Sequence, residues 1–157
     1  MRLLGVDVDG VIVDTHSLYA EARKHLEDPL DFWRAEDLYD NLTPMPYAVE
    51  KLEQLSQYFG IVFISRLKGS HHKSKVYFTK KWFPFQIGFI GTHEKWLMND
   101  SVVGMIDDLP ANLVKFDYEK RIQFDFDPSN PKGDGAAYVI ESWEEFSVED
   151  FCKQYLK

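Results

Sequence analysis

Short apolar runs that each end in a charged or polar residue recur along this chain, and they constrain its fold more than any other feature. Leu3 to Val8 is nearly continuous in hydrophobicity and stops at Asp9-Gly10. Gly60-Ile61-Val62-Phe63-Ile64-Ser65 repeats the pattern, as do Phe85 to Ile90 and Val102 to Ile106, the last running into Asp107-Asp108. Apolar side chains at every position, not alternate ones, are what a strand covered on both faces requires, and that is the setting of a parallel sheet. Arg121 to Phe126 and Ala136 to Ile140 read as further strands nearer the sheet edge.

Helical periods lie between these runs. Tyr47 to Phe59 places Val49, Leu52, Leu55, Tyr58 and Phe59 at helical spacing, with Pro46 at the start. Ser70 to Phe83, Pro110 to Phe116 and Ser142 to Tyr155 read as further helices, and Ser142 with Glu145 resembles a capping box. Strands alternating with helices predict an α/β fold built from right-handed βαβ units. One stretch breaks the rhythm. Residues from about 14 to 45 form an extra helical insertion after the first strand, rich in acids and carrying Phe32-Trp33. The segment Pro128-Ser129-Asn130-Pro131-Lys132-Gly133-Asp134-Gly135 reads as an exposed loop.

At 157 residues the chain fits one domain, spanning 1–157 with the insertion inside it. Its net charge of −8 would repel a nucleic-acid backbone, which excludes an extended binding groove for DNA or RNA and favours a small phosphorylated metabolite. The lone Cys152 excludes an internal disulfide and reads as a buried structural thiol. The opening apolar run is too short for a signal peptide and no stretch reaches membrane-spanning length, so the expected location is the cytoplasm, with no membrane partner.

In open α/β sheets, ligands sit beyond the carboxyl ends of the strands. Four strand ends here carry, or closely precede, reactive types: Asp7 and Asp9, then Ser65, then Lys95, then Asp107-Asp108. Three or four converging carboxylates repel unless a cation offsets them, and a set of hard oxygen ligands points to Mg²⁺. Arg66, Lys68, Lys73 and Lys75 add positive charge near the second strand end. Lys73 and Lys75 read as a solvated helix face, whereas Arg66 stands equally for a substrate contact or a structural one. His71 and His72, adjacent on a helix and so about 100° apart, read as surface polarity and not as a metal pair.

Taken in order, Asp7-Val8-Asp9-Gly10-Val11, Phe63-Ile64-Ser65, Lys95 and Met105-Ile106-Asp107-Asp108 resemble the haloacid dehalogenase superfamily. The resemblance implies a Rossmann-like three-layer parallel sheet, with a small helical cap inserted after the first strand. It also implies a Mg²⁺-dependent phosphatase with an aspartyl-phosphate intermediate on Asp7. Asp9 would protonate the departing oxygen and then activate water. Ser65, Lys95 and the Gly10 backbone would hold the phosphoryl group. Asp7, Asp107 and the Asp9 backbone carbonyl would bind the metal directly, with Asp108 acting through a water. The second aspartate, Asp9, distinguishes phosphoryl transfer from dehalogenation in that superfamily.

Within it, Thr92-His93-Glu94-Lys95, the stretch Ile106-Asp107-Asp108-Leu109-Pro110-Ala111-Asn112 and Trp82 are most similar to the 5'(3')-deoxyribonucleotidases. Arg66 departs from that pattern, where a small polar residue is more usual. The resemblance implies a nucleoside or deoxynucleoside monophosphate as substrate; a sugar phosphate or other small metabolite is the alternative. Phe32 and Trp33 would then either stack on a base or, more plainly, anchor the insertion to the core. Two non-enzymatic readings are a receiver-like switch and a catalytically inactive binding protein. An insertion this small leaves the pocket partly covered, and homo-oligomer formation would let a neighbouring subunit complete it.

Overall fold

The computed structural model describes residues 1–66, 69–125 and 135–157. Lys68 and the loop expected over residues 128–135, except Gly135, lie outside the described residues. Six strands form one sheet: β1 (Leu3–Val6), β2 (Gly60–Ser65), β3 (Gly88–Gly91), β4 (Val102–Asp107), β5 (Arg121–Phe124) and β6 (Tyr138–Ile140). All five pairings are parallel, and the strand order is β3-β2-β1-β4-β5-β6. The α/β reading therefore holds, with a parallel sheet as its centre.

The continuous apolar runs have the predicted cause. Along β2, Ile61 and Phe63 point into one buried cluster with Leu4, Leu52, Leu55 and Phe151, while Val62 and Ile64 point into a second with Met105, Leu113 and Phe116. Each β2 residue is buried whichever way it points. Among the described residues six α-helices accompany the sheet: α1 (Thr15–Ala22), α2 (Asp31–Arg34), α3 (Ala48–Ser56), α4 (His72–Trp82), α5 (Pro110–Leu113) and α6 (Val148–Tyr155). No helix among the described residues is long and apolar enough to cross a membrane.

Several boundaries differ from the periodicity. The first strand ends at Val6, because from Val8 the chain folds back: the amides of Val11, Ile12 and Val13 all donate to the Val8 carbonyl. The last helix begins at Val148, capped by Ser147, and not at Ser142. Ser142 does cap a turn, accepting from the Glu145 amide, but Trp143 and Phe146 are drawn into the core and break the helical path. Trp143 is fully buried against Phe124, and its Nε1 donates to the Val11 carbonyl at 2.7 Å. Met45 N–H donates to the Ile12 carbonyl at 2.8 Å, so the turn after β1 is held by two segments distant in sequence. Cys152 is half-buried at the edge of the core.

The segment 14–45 carries α1 and α2 and is stitched to the start of α4. Ser70 Oγ donates to the Arg34 carbonyl at 2.5 Å and His71 Nδ1 to the Trp33 carbonyl at 2.6 Å. The Tyr39 amide donates to Ser74 Oγ at 2.8 Å, and that hydroxyl donates in turn to Asp40. His71 is accordingly buried beneath Trp33 and Tyr39, which corrects its reading as a surface residue; His72 is exposed, as expected.

Candidate active site

β1 lies between β2 and β4, so the residues that end these three strands meet at one rim of the sheet. Asp7 follows β1, with its amide bonded to the Ile106 carbonyl at 2.9 Å. Ser65 closes β2 and Asp107 closes β4, followed by Asp108. Lys95 opens the 3₁₀ turn Lys95–Met98 before β4 and reaches inward. Its Nζ lies 2.8 Å from Asp7 Oδ1 and 2.8 Å from Asp107 Oδ2, with all three side chains buried. Gly10 makes the turn beneath them at φ 77°, and a Cβ there would strike Asp108 Oδ2 and His16 Cδ2.

The acids fall into two electrostatic groups. Asp7, Asp107 and Asp108 each offer a carboxylate oxygen, and these atoms lie within 4.8 Å of one another. Burial, then the charge of Asp107, pushes Asp7 up to about 6 despite Lys95. Burial likewise raises Asp107 and Asp108. Asp108 Oδ2 meets His16 Nε2 at 3.1 Å, while its Oδ1 is buried with no hydrogen-bond partner among the described residues. Three crowded carboxylates with one orphaned oxygen and a single shared lysine leave net negative charge that a divalent cation fits.

Asp9 is treated differently. Thr15 Oγ1 and Tyr39 OH each donate to its Oδ1 at 2.6 Å, and Lys75 Nζ lies 2.8 Å from its Oδ2. Burial works to raise its pKa, but the Lys75 charge and these hydrogen bonds outweigh burial and hold the carboxyl below its ordinary range. Its side chain is thus turned to donors and stands outside the metal-fitting trio.

Lys75 is the main residue that sequence reasoning misplaced. It is 2% exposed, bonding Ser65 Oγ at 2.9 Å and the Arg66 carbonyl at 3.2 Å as well as Asp9. The signal was present: His71, Ser74, Lys75, Phe78 and Thr79 form one stripe at i, i+3 and i+4 spacing, and Phe78 marks it as the inward face. Lys73, off that stripe, is exposed as predicted. Thr15, His16 and Tyr39 were not singled out from the sequence, and Asn112 only as the last residue of the stretch that begins at Ile106. Asn112 Nδ2 donates to both oxygens of Asp107 at 3.2 Å, and the Leu109 amide donates to Oδ1 at 3.0 Å.

A cavity of about 70 Å³ opens above these groups, lined at its floor by Asp7, Ser65 and Lys95 and at its mouth by His16, Trp33 and Arg66. Trp33 reaches the cavity. Phe32 does not line it and instead packs edge-on against Trp33, with centroids 4.9 Å apart.

The sequence matches no protein-family model and no curated protein. Solved structures do match the fold. A haloacid dehalogenase-like hydrolase from Burkholderia xenovorans LB400 superposes with a TM-score of 0.67 at 16% identity, over 99% of this chain and 98% of that one. A protein assigned as β-phosphoglucomutase from Thermotoga maritima gives 0.66 at 14% identity, covering 98% and 99%. The HAD-hydrolase YfnB from Bacillus subtilis, whose structure is described as magnesium-bound, gives 0.58 at 16% identity, covering 92% and 96%. The chain has the haloacid dehalogenase-like fold.

Proposed function

We propose that this chain is a Mg²⁺-dependent phosphomonoester hydrolase that uses Asp7 as its nucleophile. The observation that carries the proposal is the meeting of Asp7, Ser65, Lys95, Asp107 and Asp108 at the carboxyl ends of three adjacent parallel strands, with Asp7 central. Asp7, Asp107 and Asp108, with the Asp9 carbonyl, would hold the metal, which when bound supplies charge neutralisation and Lewis-acid polarisation of a phosphoryl oxygen.

The chain's own residues supply the rest. Ser65 Oγ and Lys95 Nζ, with Lys75 beside Ser65, face the phosphoryl oxygens and orient phosphorus toward Asp7. An Asp7 oxygen bonds to phosphorus as the phosphorus–oxygen bond to the leaving group breaks, and the Asp9 proton passes to the departing oxygen. A water then gives its proton to Asp9 and attacks phosphorus, breaking the acyl-phosphate bond and regenerating Asp7. Asp9 rests as an ionised carboxylate, the state that the second step needs. The incoming phosphate charge disfavours that state and so promotes the protonated form for the first.

For the leaving group, a nucleoside is the leading class, because the Trp33 indole stands at the mouth where a base would stack. The small cavity favours the second reading, a sugar phosphate or similar small ester. At about 70 Å³ it is well below the roughly 300–1,000 Å³ of pockets that enclose drug-sized ligands, so a nucleoside would project outward past Trp33.

Phosphate release should be measured across nucleoside monophosphates and sugar phosphates, with Mg²⁺ and with chelator, on the wild type and on Trp33→Ala. Mg²⁺-dependent turnover is expected, with nucleotides losing more than sugar phosphates in the variant. No metal-dependent release from any ester would overturn the phosphatase reading, and equal losses in the variant would overturn stacking.

A further inference from the structure

We propose that the leaving group carries an anionic group of its own, a carboxylate or a second phosphate, and that Arg66 binds it. The inference rests on the phosphomonoesterase reading above and deepens it. Arg66 directly follows Ser65, and its side chain is exposed at the cavity mouth. A guanidinium presents five N–H donors in a planar fork suited to carboxylate or phosphate. Among the described residues that fork makes one hydrogen bond, from Nη2 to Asn112 Oδ1 at 2.9 Å, and it meets no carboxylate.

Of the other arginines, Arg23 is exposed at the C-terminal end of α1 and does not line the cavity. Arg34 pairs with Asp28 and Asp31, while Arg2 and Arg121 donate to backbone carbonyls. In a chain of net charge −8, a guanidinium with unspent donors beside the site is a selective feature.

That single Arg66 hydrogen bond also favours one placement of the side chain. Asn112 Nδ2 is committed to Asp107, which turns Oδ1 outward, and Oδ1 then holds Arg66 in place across the mouth. The scissile phosphate does not require it, since Lys95, Lys75 and Ser65 meet that charge deeper down, where all three are buried. The anion left for Arg66 is one farther along the substrate.

Two matched pairs test this: 3-phosphoglycerate against glycerol 3-phosphate, and thymidine 3',5'-bisphosphate against thymidine 5'-monophosphate. The first pair differs by a carboxylate and the second by a phosphate, so the pair that responds identifies the anion. In wild type the doubly anionic member of one pair is expected to have the higher kcat/KM by about 10- to 100-fold, the worth of one charge-assisted hydrogen bond. That ratio should collapse in Arg66→Met and recover in part in Arg66→Lys. Wild-type ratios near one in both pairs would overturn the proposal. So would an Arg66→Met that lowers all four substrates by one factor and raises the Mg²⁺ needed for half-maximal rate, because Arg66 would then serve Asp107 through Asn112. Absence of Mg²⁺-dependent release from all four would instead overturn the phosphatase reading beneath it.

Discussion

Replacing Asp7, the proposed nucleophile, should make the metal-free protein more stable while ending the proposed activity. Asp7 is 5% exposed and shares its rim with Asp107. Burial and that neighbouring charge lift its carboxyl from an ordinary 3.8 to about 6, with the Lys95 attraction already acting against the rise. Each pK unit is worth about 1.36 kcal/mol, so keeping Asp7 ionised at neutral pH costs the folded chain about 3 kcal/mol. The sign follows from proton binding. The folded state holds this proton more tightly than the unfolded state, so the cost is absent below the unfolded value, grows as pH rises toward 6, and is complete above it. Asp7→Asn keeps the shape and removes the charge. For a chain of this length, about 3 kcal/mol corresponds to roughly 6–12 °C in Tm. Thermal unfolding in chelator at pH 7 should show the variant melting higher by that order, with the gap closing below pH 4. Added Mg²⁺ should then raise wild type more than the variant, and phosphate release by the variant should fall to background. Equal melting temperatures at pH 7 in chelator would refute the charge-crowding argument, and retained turnover would refute the nucleophile.

Three further substitutions probe other parts of the site. Lys75→Met leaves the Asp9 carboxylate buried with only the neutral donors Thr15 and Tyr39, and should cost about 3–5 kcal/mol in urea unfolding. A wild-type midpoint would mean that Lys75 does not carry the Asp9 charge. Gly10→Ala forces a left-handed backbone on a residue with a Cβ, worth about 1–2 kcal/mol, and pushes on Asp108 and His16; Tm should fall and the Mg²⁺ requirement should rise. Asp9→Asn should slow hydrolysis of alkyl phosphates by about 10²–10⁴-fold but p-nitrophenyl phosphate much less, since that leaving group needs little proton assistance. Equal losses on both would remove Asp9 from the proton-transfer role.

What could be read from the sequence was whatever sits at the end of an apolar run. Asp7, Ser65 and Asp107 stand out because a buried strand leaves few places for a polar side chain except its terminus, where the sheet opens. The strands themselves were legible for the same reason, although β1 proved shorter than its apolar stretch, since the buried turn after it is apolar too. Residues that reach the site from helices were harder. Lys75 belongs to a helix with little apolar contrast, and three neighbouring basic residues made its face look solvated. Tyr39 and Thr15 act through Asp9 from the segment 14–45, and that meeting depends on how the insertion docks on α4, which spacing along the chain does not encode. Arg66 was visible as an oddity; its bond to Asn112, 46 positions later, was not.

The indole of Trp143 has a consequence for how such a molecule comes into being. It grips the carbonyl of Val11 across 132 positions of sequence, fastening the bend that follows Asp7 and Asp9. During synthesis that bend is made 132 residues before its fastener. A growing polypeptide would therefore hold Asp7, Asp9, Asp107 and Asp108 before it could fasten the bend between the first two and α1.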